Sequence, residues 1–310
     1  MHILLAPDSF KESLSAKQVA ESLKKGFQEG LPNATFDLLP IGDGGEGTMD
    51  TLAGVLDLTE YQTQVTGPFG QSVSVSYYQK DQMAFFEMAS LVGLGSIPAE
   101  KRNPLELETR GIGELILQLV GQGVKTLCVG IGGSATNDGG IGMAAGLGVA
   151  FYDEQGHLLR PVGASLGRVA RIDTSAVPKA LQDIDLQVLT DVTNLLCGSQ
   201  GSTYIFGGQK GLNPLLFPSV DQAMQKFYQL VDSRMLTLEG AGAGGGMAAG
   251  LVAFAGGQIT SGIEKSLDLI DFDHKVQTAD LVVVGEGRMD KQSLSGKAPV
   301  GVAKRTPAGI

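Results

Sequence analysis

Several things are scarce in this sequence of 310 residues, and each scarcity excludes a class of protein. There are two cysteines, Cys128 and Cys197, too few for a disulfide framework and without metal-ligand spacing, so both read as inert thiols beside apolar runs. Three histidines, His2, His157 and His274, lie in unrelated contexts, which leaves zinc or a Ser-His-Asp triad without support. Positive charge is short: 23 Lys and Arg against 33 Asp and Glu give a net charge of −10. Such a surface repels phosphate backbones and anionic lipid, so neither nucleic acid nor membrane is an expected partner. No apolar run reaches the ~18 residues of a membrane span. The chain opens on an apolar strand, His2 to Pro7, without the regions of a secretion signal, so a cytoplasmic location is expected. No G-x-x-x-x-G-K-[S/T] occurs, which excludes a P-loop, and no H-R-D loop occurs, which excludes the protein-kinase pattern.

Glycine is abundant instead. It supplies 45 of 310 residues, about twice the usual ~7%, clustered beside strands rather than in a collagen period. With 43% hydrophobic and 18% charged residues, a sizeable core is affordable. Length suggests about two domains.

Strands and helices alternate. After the first strand, Ser15-Ala16-Lys17-Gln18 has the spacing of a capping box, opening a helix to about Gln28 with Val19, Leu23 and Phe27 on one face. From about residue 60, TEYQTQVTG, QSVSVSYY and MAFFEMA are β-rich and read as an antiparallel insertion. Alternation then returns, with helices near 105–121, 139–148 and 219–232, strands at Thr126–Gly130, 149–152 and Leu186–Thr190, and a last strand in DLVVVGEG. This order predicts an α/β protein with mostly parallel sheet, whose ligand sits outside the carboxyl ends of the strands.

The glycine clusters fall at such ends, so their loops are expected to converge on one cleft. In Gly130–Gly140 a run of small residues precedes a helix and reads as a phosphate cradle: Gly132, Gly133, Ser134, Ala135, Thr136 and Asn137. The same loop fits G-x-G-x-x-A with Asp153 after the next strand, so an NAD-dependent oxidoreductase is an alternative. Carboxylates Asp8, Asp43, Glu46, Asp191, Glu286 and Asp290 also follow strands, and could hold Mg²⁺ or take a hydroxyl proton. Lys11, Arg288 and Lys297 are the cations on these loops, able to meet a carboxylate or phosphate.

The blocks APDSFKESLSA, PIGDGGEGT, RNPLELETRGIGELI, GIGGSATNDGGIGMAAGLG, LTDVTNLLCG, GAGAGGGMAAGL and GEGRMDKQSLSGKAPVGVA, in that order, resemble the bacterial glycerate kinase family. The resemblance covers essentially the whole chain. It implies transfer of the ATP γ-phosphoryl group to D-glycerate with Mg²⁺, giving 2-phosphoglycerate in most members. It also implies a flavodoxin-like parallel-sheet domain, discontinuous in sequence (1–60 plus 275–310), and a larger inserted mixed α/β domain (61–274). Further strand and helix units are expected after GKAPVGVA, where this sequence reads KRTPAGI. A shortened chain would expose an apolar edge and favour a homodimer, and an inactive ligand-binding remnant is a further alternative. In this frame the cradle and Lys297 serve ATP, and Asp191 holds Mg²⁺ with Asp43 or Glu286. Lys11 or Arg288 holds the glycerate carboxylate, and Asp8 or Asp290 is the hydroxyl base.

Overall fold

The computed structural model describes residues 1–10, 13–42, 44–45, 47–287 and 298–310. The early strands are β1 (His2–Leu5), β2 (Thr35–Leu38), β3 (Thr59–Thr66), β4 (Ser72–Lys80), β5 (Met83–Glu87) and β6 (Thr126–Gly130). The later ones are β7 (Ala150–Tyr152), β8 (Arg171–Asp173), β9 (Asp185–Leu189), β10 (Gln258–Thr260) and β11 (Leu281–Val283). Helices in the first half are α1 (Ala16–Gly30), α2 (Thr48–Leu56), α3 (Ala89–Val92), α4 (Arg110–Gly121) and α5 (Ile141–Gly146). They are followed by α6 (Ser202–Phe206), α7 (Phe217–Val231), α8 (Ala243–Ala255), α9 (Gly262–Leu269), α10 (Phe272–Val276) and α11 (Ala298–Arg305). The chain forms an α/β structure of two compact units, one of Met1–Thr59 with Thr260–Ile310, the other of Glu60–Ile259. Residues 260–274, expected in the inserted unit, group with the terminal segments.

In the first unit three strands are ordered β11-β1-β2, and both pairings are parallel, with Leu5 opposite Val283 and Leu38. A central parallel strand is covered on both faces, which is why Ile3, Leu4 and Leu5 form an unbroken apolar run with no exposure. The capping box at α1 is formed: the Ser15 hydroxyl accepts from Gln18 N, and Ser15 N donates to Gln18 Oε1 at 2.9 Å. The helix buries Ala16, Val19 and Ala20, with Leu23 and Phe27 half-buried.

The second unit holds a six-stranded sheet ordered β10-β9-β6-β5-β4-β3. β5, β6 and β9 are parallel, while β4 and β5 are antiparallel. The expected antiparallel insertion is therefore no separate element, because β5 belongs to both patterns and joins the hairpin region to the parallel strands. Phe86, Leu127, Val129, Ile116 and Met247 share the main core of this unit. Phe151, Met224, Phe227 and Tyr228 fill a second cluster with α7. A methyl on Gly113 of α4 would collide with the Met143 carbonyl of α5, so glycine sets how closely these two helices cross. The helix expected from 105 begins at Arg110, because Asn103 and Pro104 open a turn and the Thr109 hydroxyl is committed elsewhere.

Candidate functional site

In the second unit the sheet register sets the site. Glu87, Gly130 and Leu189 lie side by side at the carboxyl ends of β5, β6 and β9. The glycine loop and Asp191, which follow β6 and β9, therefore leave the sheet as neighbours. Gly133 is exposed, Gly132 half-buried, and Gly133 has φ +68°, which glycine adopts without strain. Among the described residues neither Gly132 nor Gly133 donates its amide to another protein group. Two open N–H groups beyond a strand end are the donors that an anion cradle needs.

The rest of the predicted cradle faces the other way. Ser134, Ala135, Thr136 and Asn137 are buried, and they are footings of the loop rather than its lining. Ala135 N donates to Val92 O at 2.7 Å, and Asn137 N to Pro104 O at 3.0 Å. The Asn137 side chain donates to Thr203 Oγ1 and accepts from Ser202 Oγ, at 3.0 and 3.1 Å. Behind the loop Gly244, Gly245 and Gly246 have consecutive positive φ values of 65°, 76° and 85°. This turn lets Gly245 O accept from Gly139 N at 3.0 Å, and a methyl at Gly245 would strike the Thr136 carbonyl.

Three buried ionisable groups sit beneath, Asp138, Lys210 and Tyr228. Asp138 has no exposure and accepts from Thr109 Oγ1 at 2.6 Å, Gly140 N at 3.0 Å and Gly142 N at 3.3 Å. It caps α5, which starts three residues after it. Burial raises its carboxyl above the usual carboxylate value, opposed by those hydrogen bonds and by Lys210. Lys210, only 3% exposed, donates from Nζ to Ser134 Oγ at 2.8 Å and to Thr136 O at 2.7 Å. Burial pushes its ammonium down to about 7, against the upward pull of Asp138. Tyr228, held well above its ordinary value first by burial and then by Asp138, donates its hydroxyl to Gly139 O at 2.7 Å. The half-buried Cys197 thiol is pushed up to about 12 by burial and Asp221, so it is no nucleophile at neutral pH.

In the first unit Asp8 and Glu286 come together. Asp8 N donates to Gly285 O at 2.8 Å, continuing the β1–β11 pairing, and the Asp8 side chain is buried. Ile41 N donates to Pro7 O at 3.0 Å, bringing the loop after β2 to the same sheet end. Lys11, Asp43, Glu46, Arg288, Asp290 and Lys297 lie outside the described residues. The predicted loops thus fall into two groups, each within its own unit. Among the described residues no three potential metal ligands gather, and no helix is long and apolar enough to cross a membrane. A site for Mg²⁺ uses one or two carboxylates together with water and phosphate, and Asp191 beside the open glycine amides fits that donor set.

Sequence reasoning missed Lys210 and Glu87. Glu87 carried the same signal as the other acids, a carboxylate closing an apolar strand. Lys210 carried none: GGQKGL reads as a solvated turn, and only long-range packing buries the ammonium.

The dinucleotide alternative is corrected by the topology. A fingerprint needs β6, α5 and β7 as a parallel unit, but β7 pairs antiparallel with β8 outside the main sheet. Asp153 is occupied by the amides of Gln155 and His157 and by Arg168, not placed for a ribose.

Loops at the carboxyl ends of parallel strands, with two open glycine amides among them and no P-loop in the sequence, mark an α/β enzyme of the kind that meets its ligand at strand ends. The chain belongs to the glycerate kinase family, kinases with an alcohol group as acceptor: the model of that family matches residues 3–309. A glycerate kinase of Neisseria meningitidis serogroup B is 57% identical over all of this chain and 84% of its own length. A glycerate 2-kinase of Escherichia coli K12 is 42% identical over 98% of this chain and 81% of its own. A crystal structure from Salmonella typhimurium LT2, described as a candidate glycerate kinase 2, superposes with a TM-score of 0.89 at 42% identity. It covers 98% of this chain and 83% of that one.

Proposed function

We propose that this chain transfers the γ-phosphoryl group of ATP to D-glycerate and releases 2-phosphoglycerate, a step of organic-acid breakdown. The observation that carries the reading is the pair of open amides at Gly132 and Gly133, which leave the sheet beside Asp191. The names of the Neisseria and Escherichia relatives supply the acceptor.

Phosphoryl transfer asks a protein mainly for positioning and charge stabilisation. Phosphate oxygens accept from Gly132 and Gly133, while Ser134, Ala135, Thr136 and Asn137 fix the loop from its buried side. Lys297 adds a cation for the nucleotide. Asp191 would hold Mg²⁺, which when bound neutralises charge on the phosphates, and Asp43 and Glu286 are the other candidate carboxylates for the ion. Lys11 or Arg288 pairs with the glycerate carboxylate. Asp8 or Asp290 takes the proton of the 2-hydroxyl as its oxygen bonds to the γ-phosphorus. The bond from that phosphorus to the bridging oxygen breaks, and ADP leaves.

Turnover of D-glycerate with ATP and Mg²⁺, coupled to enolase without a mutase, tests this. A signal is expected; a signal only after adding mutase means the 3-hydroxyl is the acceptor, and none in either case overturns the reading. Asp191→Asn and Lys11→Ala should each lower kcat/KM by at least ~10²-fold.

A further inference from the structure

Lys210 is used by no step of that transfer, yet its burial is costly. An ammonium at 3% exposure is normally matched by a carboxylate, and among the described residues no carboxylate lies within ion-pair distance of Nζ. Its two acceptors are neutral, and both belong to the glycine loop: the hydroxyl of Ser134 and the carbonyl of Thr136. These residues immediately follow the open amides of Gly132 and Gly133.

The segment that carries Lys210 is itself fixed. Gly207 N donates to Thr203 O at 3.0 Å, and Leu212 N to Gly207 O at 3.0 Å. Thr203 in turn accepts from the Asn137 side chain, so the lysine segment and the glycine loop are joined twice. Gly211 follows with φ +91°, where a methyl would press on the Arg102 carbonyl. That arginine donates to Leu94 O at 2.8 Å and Ile97 O at 3.0 Å, while Leu94 N donates to Gly133 O at 2.8 Å. The exposed glycines are thus bounded on one side by the 94–97 turn and on the other by Lys210.

We propose that Lys210 is a positioning residue for the nucleotide: through Ser134 and Thr136 it sets the course of the loop so that the Gly132 and Gly133 amides are held ready for phosphate. The inference rests on the reading of that loop as the phosphate cradle. It does not depend on the lysine's charge, since a neutral amine has two N–H groups and both bonds can be made. Preorganised donors stabilise a bound anion more than donors that must first be ordered, because the ordering cost is met on folding.

Three variants of the full chain separate the possibilities, each read by calorimetric titration with ATP and, separately, with D-glycerate. Gly133→Val strains a left-handed position and tests the cradle; ATP affinity should fall about 10-fold or more. Lys210→Met keeps the aliphatic stem and removes both donors; ATP affinity should fall about 10-fold with D-glycerate affinity unchanged. Ser134→Ala removes one acceptor, and about a 3-fold loss for ATP is expected. If Gly133→Val weakens ATP but Lys210→Met stays within about twofold of wild type, the lysine's role is refuted and the cradle stands. Equal loss of affinity for both ligands in Lys210→Met also refutes it, since that is general disorder. Should Lys210→Met fail to fold, Ser134→Ala decides, and unchanged ATP affinity there refutes the proposal. Unchanged affinity in Gly133→Val removes the cradle and the proposal together.

Discussion

Lys210 and Arg305 are both tightly held cations, and their surroundings are opposites. Arg305 closes α11 against α9 and α10, reaching Asp268 at 2.7 Å, Asp273 at 2.6 Å and Glu264 at 3.4 Å. Its partners are 49% to 62% exposed, so water and salt share that network. Asp273 first, and then Asp268, raise the guanidinium further above its ordinary value. Lys210 instead meets neutral oxygens in the interior, and its ammonium is lowered. A cation at the surface ties helices together through charge. A cation in the interior ties a loop through hydrogen bonds and carries a desolvation cost.

The largest effect should come from the group beneath the loop. Asp138→Ala leaves the Thr109 hydroxyl and the Gly140 and Gly142 amides without their buried acceptor. A loss of about 3 kcal/mol in urea unfolding is expected. A loss below about 0.5 kcal/mol would mean that water replaces the carboxylate and that the interior contrast is overstated.

The next effect concerns pH. A lysine near 7 when folded and 10.5 when unfolded leaves the unfolded chain binding more protons between those values, so its contribution makes stability rise with pH there. Below about 7 both states are protonated and the desolvation cost is complete. Between pH 7 and 9 the gain is about 2 kcal/mol. Among the described residues Asp138 is the titratable group whose charge acts on Lys210, and Tyr228 faces Asp138. Asp138, raised, titrates with the opposite sign, its contribution falling as pH rises above its unfolded value, and Tyr228 stays protonated. Comparing urea unfolding of wild type and Lys210→Met across this range isolates the lysine; parallel pH profiles would show that Nζ is solvated.

The smallest effect belongs to the surface. Arg305→Ala should cost about 1 kcal/mol in low salt, and most of that difference should vanish in 1 M NaCl. A salt-independent loss of several kcal/mol would place Arg305 in the same class as Lys210 and dissolve the contrast.

What the sequence made legible was local. Ser15 and Gln18 announced the first helix because a capping box needs only four residues. Gly132 and Gly133 stood out because they open a run of small residues after a strand, and the structure leaves their amides open. What it hid was long-range. The join of β5 to β6 depends on register between segments about 40 residues apart, so MAFFEMA read as part of a separate hairpin region. Burial of Ser134–Asn137 depends on partners at 202–203 and 210, and without them four small residues looked like lining. The left-handed run Gly244–Gly246 was hidden within a glycine- and alanine-rich stretch, since composition alone does not show that Thr136 O leaves no room for a side chain at Gly245.

The measurement that tests the account most directly is an ATP titration of the isotopically labelled full chain, following backbone amide resonances. The account predicts that Gly132 and Gly133 shift most, with the Lys210 side-chain resonances shifting beside them. Saturating ATP that moves other amides and leaves Gly132, Gly133 and Lys210 in place would contradict it.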